Sequence, residues 1–361
     1  MWRTPLCDLL GIDYPIIKAP MAGGPDTPEL VAAVSNAGGL GVLAGTRLTP
    51  DQLHQAIRAI KAQTDRPFGV NFLLAPPELG NQDVAATQVF LNHFRQELQL
   101  PPGPTELALP PSRLPEQLQI VFEEQVPILS FGLGDPSQLV APAHAAGSHV
   151  MAMVTTVEEA IHVVESGVDI VVVQGAEAGG HRSTFKLDPN GEVPLVGTLV
   201  LVPQVVDAIR VPVVAAGGIM DGRGLVAALA LGEAGVALGT RFLVARESGA
   251  FPAWQECLLA ATEVNTVVTR AFTGRPARGI RNRLVEEYLR TGAEPLAWPL
   301  QGMAAEDIYR TASAQGLVDY FPVLAGQGLR LLKGGQGAAE IVAELIAEAK
   351  ANLSRLAGLT D

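Results

Sequence analysis

The chain has 361 residues, of which 48% are hydrophobic and 17% charged, so it can bury a large core and is not a disordered chain. A formal net charge of −12, with no Lys/Arg-rich run, argues against nucleic acid as a partner. Two cysteines are too few for a disulfide framework or a cysteine zinc site. The opening MWRTPLCDLLGIDYP lacks a signal peptide's apolar stretch, and the apolar window 224–245 is broken by Glu233, Arg241 and several glycines; a soluble cytoplasmic protein without a membrane partner is expected.

Short apolar runs alternate with helical periodicity. Strands are predicted at 16–19, 41–44, 68–71, 128–131, 150–154, 170–174, 212–216 and 236–239. Helices are predicted at 28–37, 50–64, 157–166, 200–209 and 224–231, with Thr27-Pro28 and Thr49-Pro50 placing a capping residue before a proline in the first helical position. Eight strands in this rhythm point to an α/β fold, a (β/α)8 TIM barrel; an open doubly wound sheet is the alternative. Two regions depart from the rhythm. Residues 76–125 are proline-rich, hold one helix-like piece at 85–98, and are expected as an insertion after the third strand. After Gly249 the strand pattern stops, and 251–262, 281–290, 303–315 and 338–356 look helical. The expected division is a barrel over 1–245, an additional mainly helical lobe over the barrel mouth at 246–317, and a segment, 318–361, returning to the barrel.

The stretch 169–184, DIVVVQGAEAGGHRST, concentrates the chemistry. Its unbroken Ile/Val run suits a strand buried on both faces, and His181 then falls past the carboxyl end of that strand, where barrels carry their reactive groups. The Gly179-Gly180 pair lets backbone approach a ligand. Gly217-Gly218 and Gly239-Thr240 follow the seventh and eighth strands, the pair of loops that commonly binds phosphate in a barrel. One such pair, without a second dinucleotide fingerprint, suits a mononucleotide. Asn71 and Gln174 each end an apolar strand with an amide, a donor and acceptor that matches the edge of an isoalloxazine or nucleobase. Lys18, flanked by Ile17 and Ala19, is either a cation for an anionic ligand or a lysine reaching out from a strand end. Glu177 stands four residues before His181 and reads as a cap on the turn. His144 and His149, five apart with no carboxylate at ligand spacing nearby, give no metal site.

These pieces carry a family resemblance. PIIKAPMAGG, RPFGVNFLL, QGAEAGGHRST, VPVVAAGGIMDGRG, ALGTRFLVARES, VVTRAFTGRPARGIRN and LAGQGLRLL cover nearly the whole chain. The chain resembles the bacterial nitronate monooxygenases, once called 2-nitropropane dioxygenases, which are FMN-dependent (β/α)8 barrels. The resemblance implies a catalytic role for His181. It implies flavin contacts from Met21, Ala22, Asn71, Gln174, Gly179, Gly180, Gly217, Gly218, Gly239 and Thr240, joined by Gln327 and Gly328 from the late loop. The implied reaction oxidises alkyl nitronates, with O2, to a carbonyl compound and nitrite, in a chain free to form a homo-oligomer. In it His181 either holds the nitronate or takes the α-proton of a neutral nitroalkane, titrating near the usual ~6.5 of an imidazole. Lys18 departs from the pattern, which more often has glutamine there. Flavin-dependent enoyl-acyl-carrier-protein reductases and NAD(P)H:quinone reductases share these motifs, and a non-catalytic flavin-binding module is the non-enzyme alternative. IMP-dehydrogenase-like barrels are set aside because the loop after the sixth strand has no cysteine.

Overall fold

The computed structural model describes residues 4–74, 83–188 and 190–359. The strands are β1 (Ile16–Lys18), β2 (Leu40–Ala44), β3 (Phe68–Leu73), β4 (Ile128–Gly132), β5 (His149–Val154), β6 (Ile170–Gln174), β7 (Gly180–His181), β8 (Val213–Ala216), β9 (Gly235–Leu238), β10 (Thr266–Thr269) and β11 (Ala277–Ile280). Eight of them close a parallel barrel in the order β1-β2-β3-β4-β5-β6-β8-β9. The closing pair is β1 with β9, in register Ile17 to Ala237, which excludes the open doubly wound sheet.

Side chains alternate across each strand. Ile170 and Val172 of β6 join the barrel interior with Ile17, Val42, Met151 and Val214. Val171 and Val173 face the surrounding helices instead. Both faces are therefore apolar, which is why the run shows no polar alternation. A short helix, Pro5–Leu10, supplies Leu6, Cys7 and Leu10 to the interior cluster. Thr4 caps it and donates its hydroxyl to Ala234 O at 2.6 Å, just before β9, so this helix closes the amino-terminal end of the barrel. The site is thereby left to the opposite end.

The proline-rich segment holds two helices where one was expected, Val84–Glu97 and Leu114–Glu123. The second packs on the helix Pro50–Lys61 and leads into β4, so it is one of the barrel's own helices. Its amino-terminal Leu-Pro sits among other prolines, which hid its periodicity. The beginning of the segment, through residue 82, lies outside the described residues. The region after Gly249 is not purely helical either: β10 and β11 form an antiparallel pair to which β7 adds as a third strand. A second apolar core, containing Trp254, Phe272, Tyr288, Ile308, Tyr309 and Phe321, underlies this lobe. The last helix, Ala338–Ala357, packs on Gly222–Ala230 and on Pro28–Asn36 in the barrel's outer layer. Among the described residues no helix is long and apolar enough to cross a membrane.

Candidate active site

At the carboxyl end of β6 the chain folds back over the strand it has just left. Gln174 spends its amide on this fold: Nε2 donates to His181 O at 2.8 Å, and Oε1 accepts from Ser183 N at 2.9 Å. The buried Arg182 guanidinium donates to Gly175 O at 2.6 Å and to Gln174 O at 3.0 Å. Burial pushes Arg182 down to about 10, with Arg278 adding to the effect. Gln174 is thus a clamp on the main chain around His181, a use that local pattern does not reveal. Asn71 is buried too, its Nδ2 lying 3.1 Å from both Ser130 O and Ser130 Oγ on β4.

The glycine loops meet. Glu177 accepts from Thr198 N at 2.9 Å and from Thr198 Oγ1 at 2.7 Å, so its carboxylate sits at the amino end of the helix Thr198–Ala208. Thr198 Oγ1 also lies 3.1 Å from Gly217 O, joining that helix to the loop after β8. Gly217 and Gly218 have φ of 121° and 71°, which a side chain rarely adopts. The late loop closes on both. A Cβ on Gly179 would fall 2.5 Å from Gly326 N, and one on Gly328 would fall 2.4 Å from Met220 Cγ. Gln327 N donates to Glu177 O at 2.9 Å, and Gly326 N donates to Thr240 Oγ1 at 2.9 Å. By contrast, a Cβ on Gly180 would meet nothing within 4 Å, and one on Gly239 only Ala19 and Met21 at 3.8 and 3.9 Å. The structure therefore brings the loops bearing Met21, Gly179, Gly217, Gly218, Gly239, Thr240, Gln327 and Gly328 together, with room beside Gly180 and Gly239; Ala22 stands exposed on the loop after β1. Such glycine-lined main chain fits a flat, phosphorylated ligand.

Lys18 does not point at that space. Its ammonium is fully buried and paired with Asp26, whose other oxygen accepts from Met21 N and Ala44 N, each at 2.9 Å. Burial pushes both groups toward their neutral forms, and their mutual attraction opposes it. The pair pins the loop bearing Met21 to the end of β2.

His181 belongs to the lobe's small sheet, its backbone in register with Ala277 of β11. Its Nε2 lies 2.9 Å from Thr273 Oγ1. The Trp298 ring stands edge-on to it, 5.2 Å away at 81°. Burial, then the Arg47 and Arg275 charges, push the imidazole down to about 3. This corrects the expectation of an ordinary titration near 6.5: burial first strips water from the charged form, and the Arg47 and Arg275 charges then add to the penalty. Arg47, Thr273, Arg275 and Trp298 went unnoticed in the sequence. Only Arg47, just past a strand end, lay where a signal could be sought.

At the other end of the barrel, Asp169 Oδ2 lies 2.8 Å from His144 Nε2, and Oδ1 lies 3.8 Å from His149 Nδ1. The fold supplies the carboxylate that linear spacing lacked. Among the described residues, no group of three such side chains is arranged to hold a metal ion.

Residues 3–348 match the model of the nitronate monooxygenase family. This chain belongs to that family. A probable nitronate monooxygenase of Staphylococcus haemolyticus is 39% identical over 92% of this chain and 93% of its own. One from Staphylococcus aureus strain Newman is 37% identical over the same shares. Among solved structures, a nitroalkane oxidase from Streptomyces ansochromogenes is 36% identical with a TM-score of 0.90, covering 98% of this chain and all of that one. FabK from Thermotoga maritima is 31% identical with a TM-score of 0.78, covering 99% of this chain and all of that one.

Proposed function

We propose that this nitronate monooxygenase family member is an FMN-dependent enzyme that oxidises alkyl nitronates, and nitroalkanes more slowly, with O2 to a carbonyl compound and nitrite. The observation that carries the reading is His181, next to the Gly179-Gly180 pair at the carboxyl end of β6, its imidazole held on Thr273 Oγ1 and its pKa lowered by burial and by Arg47 and Arg275. FMN, when bound, supplies the redox chemistry between nitronate and O2. Main-chain N–H groups of Gly217, Gly218, Gly239 and Thr240 would hold its phosphate. Met21, Ala22, Asn71, Gln174, Gly179, Gly180, Gln327 and Gly328 would frame the rest, Gln174 by fixing the main chain.

The protein's part is binding, orientation and electrostatics. Arg47 and Arg275 favour a nitronate anion over the neutral nitro compound, since their charges stabilise it. His181 is in its base form at neutral pH and can take an α-proton. Its low pKa makes it a weak base, so a preformed nitronate reacts faster than its neutral parent. The Trp298 ring walls one side of the imidazole.

Anaerobic mixing of the FMN-loaded protein with a nitronate, and separately with NADH, tests this. Flavin bleaching by the nitronate and not by NADH is expected. Rapid bleaching by NADH, with enoyl-thioester turnover and indifference to nitronates, overturns the reading in favour of an enoyl reductase.

A further inference from the structure

The geometry points to Thr273 as the residue that fixes the tautomer of His181, leaving Nδ1 as its proton-accepting atom. The catalytic side of this inference rests on the nitronate-oxidising reading; the tautomer does not.

A threonine hydroxyl has one hydrogen to give. Thr273 Oγ1 lies 3.3 Å from Arg275 O, where it donates, and 2.9 Å from His181 Nε2. With the proton on Nε2, the imidazole donates to Oγ1 and the hydroxyl passes its hydrogen to Arg275 O, so both contacts are hydrogen bonds. With Nε2 bare, the hydroxyl must turn to the imidazole and abandon the carbonyl. The proton would then sit on Nδ1, and Thr273 would have lost its bond to Arg275 O. Arg275 N donates to Thr273 Oγ1 at 3.5 Å in either case, so the first arrangement makes three bonds around that hydroxyl and the second makes two.

Both partners are held still. Thr273 is buried in a turn between β10 and β11. That turn is fastened by Gln301 Nε2 donating to Ala271 O at 3.0 Å, Tyr309 Oη donating to Phe272 O at 2.8 Å, and Gly274 N donating to Arg270 O at 2.8 Å. His181 is held by pairing with β11, by the Gln174 clamp and by the Trp298 edge. A second group that orients an imidazole and sets its tautomer decides which nitrogen does the chemistry.

The consequence sharpens the role of His181. The neutral ring offers a lone pair at Nδ1 and no N–H there, so it does not hold a nitronate oxygen by donating to it. It accepts. With a neutral nitroalkane, the Cα–H bond breaks and its electron pair stays with the substrate as the nitronate. The proton forms the Nδ1–H bond, and Nε2 keeps its own hydrogen, still donated to Thr273 Oγ1. Thr273 is a positioning residue in this scheme, since it touches the imidazole and not the substrate.

The test is histidine-labelled 15N NMR of the FMN-loaded protein near neutral pH, with His181 assigned by loss of its signals in His181→Asn. A protonated Nε2 and a bare Nδ1 are expected. Thr273→Val should mix the tautomers and lower kcat on neutral nitroalkane by about tenfold to a hundredfold, the usual scale for an orienting partner. Turnover of preformed nitronate should change less than about threefold, and Thr273→Ser should restore both tautomer and rate. A wild-type protein with the proton on Nδ1 overturns the proposal, whether or not the valine variant folds. So does a folded valine variant with wild-type tautomer and rate. An Nε2–H that depends on Thr273, in a protein indifferent to both nitro substrates, upholds the tautomer assignment and overturns only the functional reading.

Discussion

The loops after β1, β8 and β9 bring mostly glycines and main-chain N–H groups to the site, whereas the lobe's small sheet and its turn bring an imidazole, a hydroxyl and a guanidinium. The barrel side is built for close approach: positive φ at Gly217 and Gly218, and a late loop seated on Gly179. The lobe side is built for fixed side chains, each tied by hydrogen bonds to its own turn or to a neighbouring strand. On the proposed function, binding of a flat phosphorylated group and handling of a proton fall to different parts of the chain. Substitutions on the two sides should fail differently.

The largest effect is expected on the barrel side. Lys18→Met leaves the Asp26 carboxyl buried without its cation, and breaking a buried pair from one side usually costs about 3–5 kcal/mol. Denaturant unfolding would read that loss, together with weakened FMN retention as the Met21 loop loosens. A loss below about 1 kcal/mol, the scale of an exposed pair, would mean that Lys18 is not the pin described.

On the lobe side, His181→Asn should keep FMN and fold, yet lower turnover of neutral nitroalkane by about a hundredfold or more, the scale of a positioned base. Preformed nitronate should suffer less. Equal losses on both substrates would move His181 from proton handling to binding.

Gly218→Val separates the two sides from the other direction. At φ 71° a side chain is strained, and its Cβ would lie 3.3 Å from Glu177 Cβ. That strain costs folding about 1–3 kcal/mol, and the side chain should weaken FMN retention far more, because it intrudes where main-chain N–H groups meet the phosphate. An equilibrium FMN titration of the apoprotein would measure it. Unchanged affinity would place the phosphate elsewhere.

The smallest effect is expected from Arg47→Gln. Burial is the first cause of the low His181 pKa and Arg47 the second, so the variant should raise that pKa only partly. Acid stability follows the same displacement. The unfolded chain takes up a proton at a histidine near about pH 6.5 that the folded site refuses until about 3. Stability from this group is therefore full above the unfolded value and lost as pH falls below it. Denaturation midpoints of wild type and His181→Asn, compared across that range, should diverge in that sense.

Much of the barrel was legible because its strands obey one rule. Residues 170–174 were expected as a strand and are β6; 41–44 and 150–154 each miss one flanking residue of β2 and β5. Continuous β-branched runs bounded by glycine and proline mark such strands without help from tertiary structure. The lobe was less legible. β11 is Ala-Arg-Gly-Ile, with nothing of a strand in its composition, and it forms because β10 and β7 lie on either side of it. β7 is two residues long and pairs with a segment about a hundred positions away, beyond the reach of local pattern. Thr273 is an ordinary turn residue until the fold sets it against His181. Lys18 was conspicuous in the sequence, but its partner, Asp26, lay in a loop and was not sought. Chemistry carried by main chain leaves glycines as a trace, whereas chemistry carried by paired side chains from distant segments leaves none.

On this reading, burial under the lobe and two arginines keep His181 a neutral base. The pH dependence of kcat/KM for a neutral nitroalkane tests it most directly, because that ratio reports the free enzyme. Between about pH 5 and 8, the span in which an ordinary histidine changes charge, no limb assignable to His181 is expected. A fall in kcat/KM on the acid side of about 6.5, abolished in His181→Asn, would contradict it.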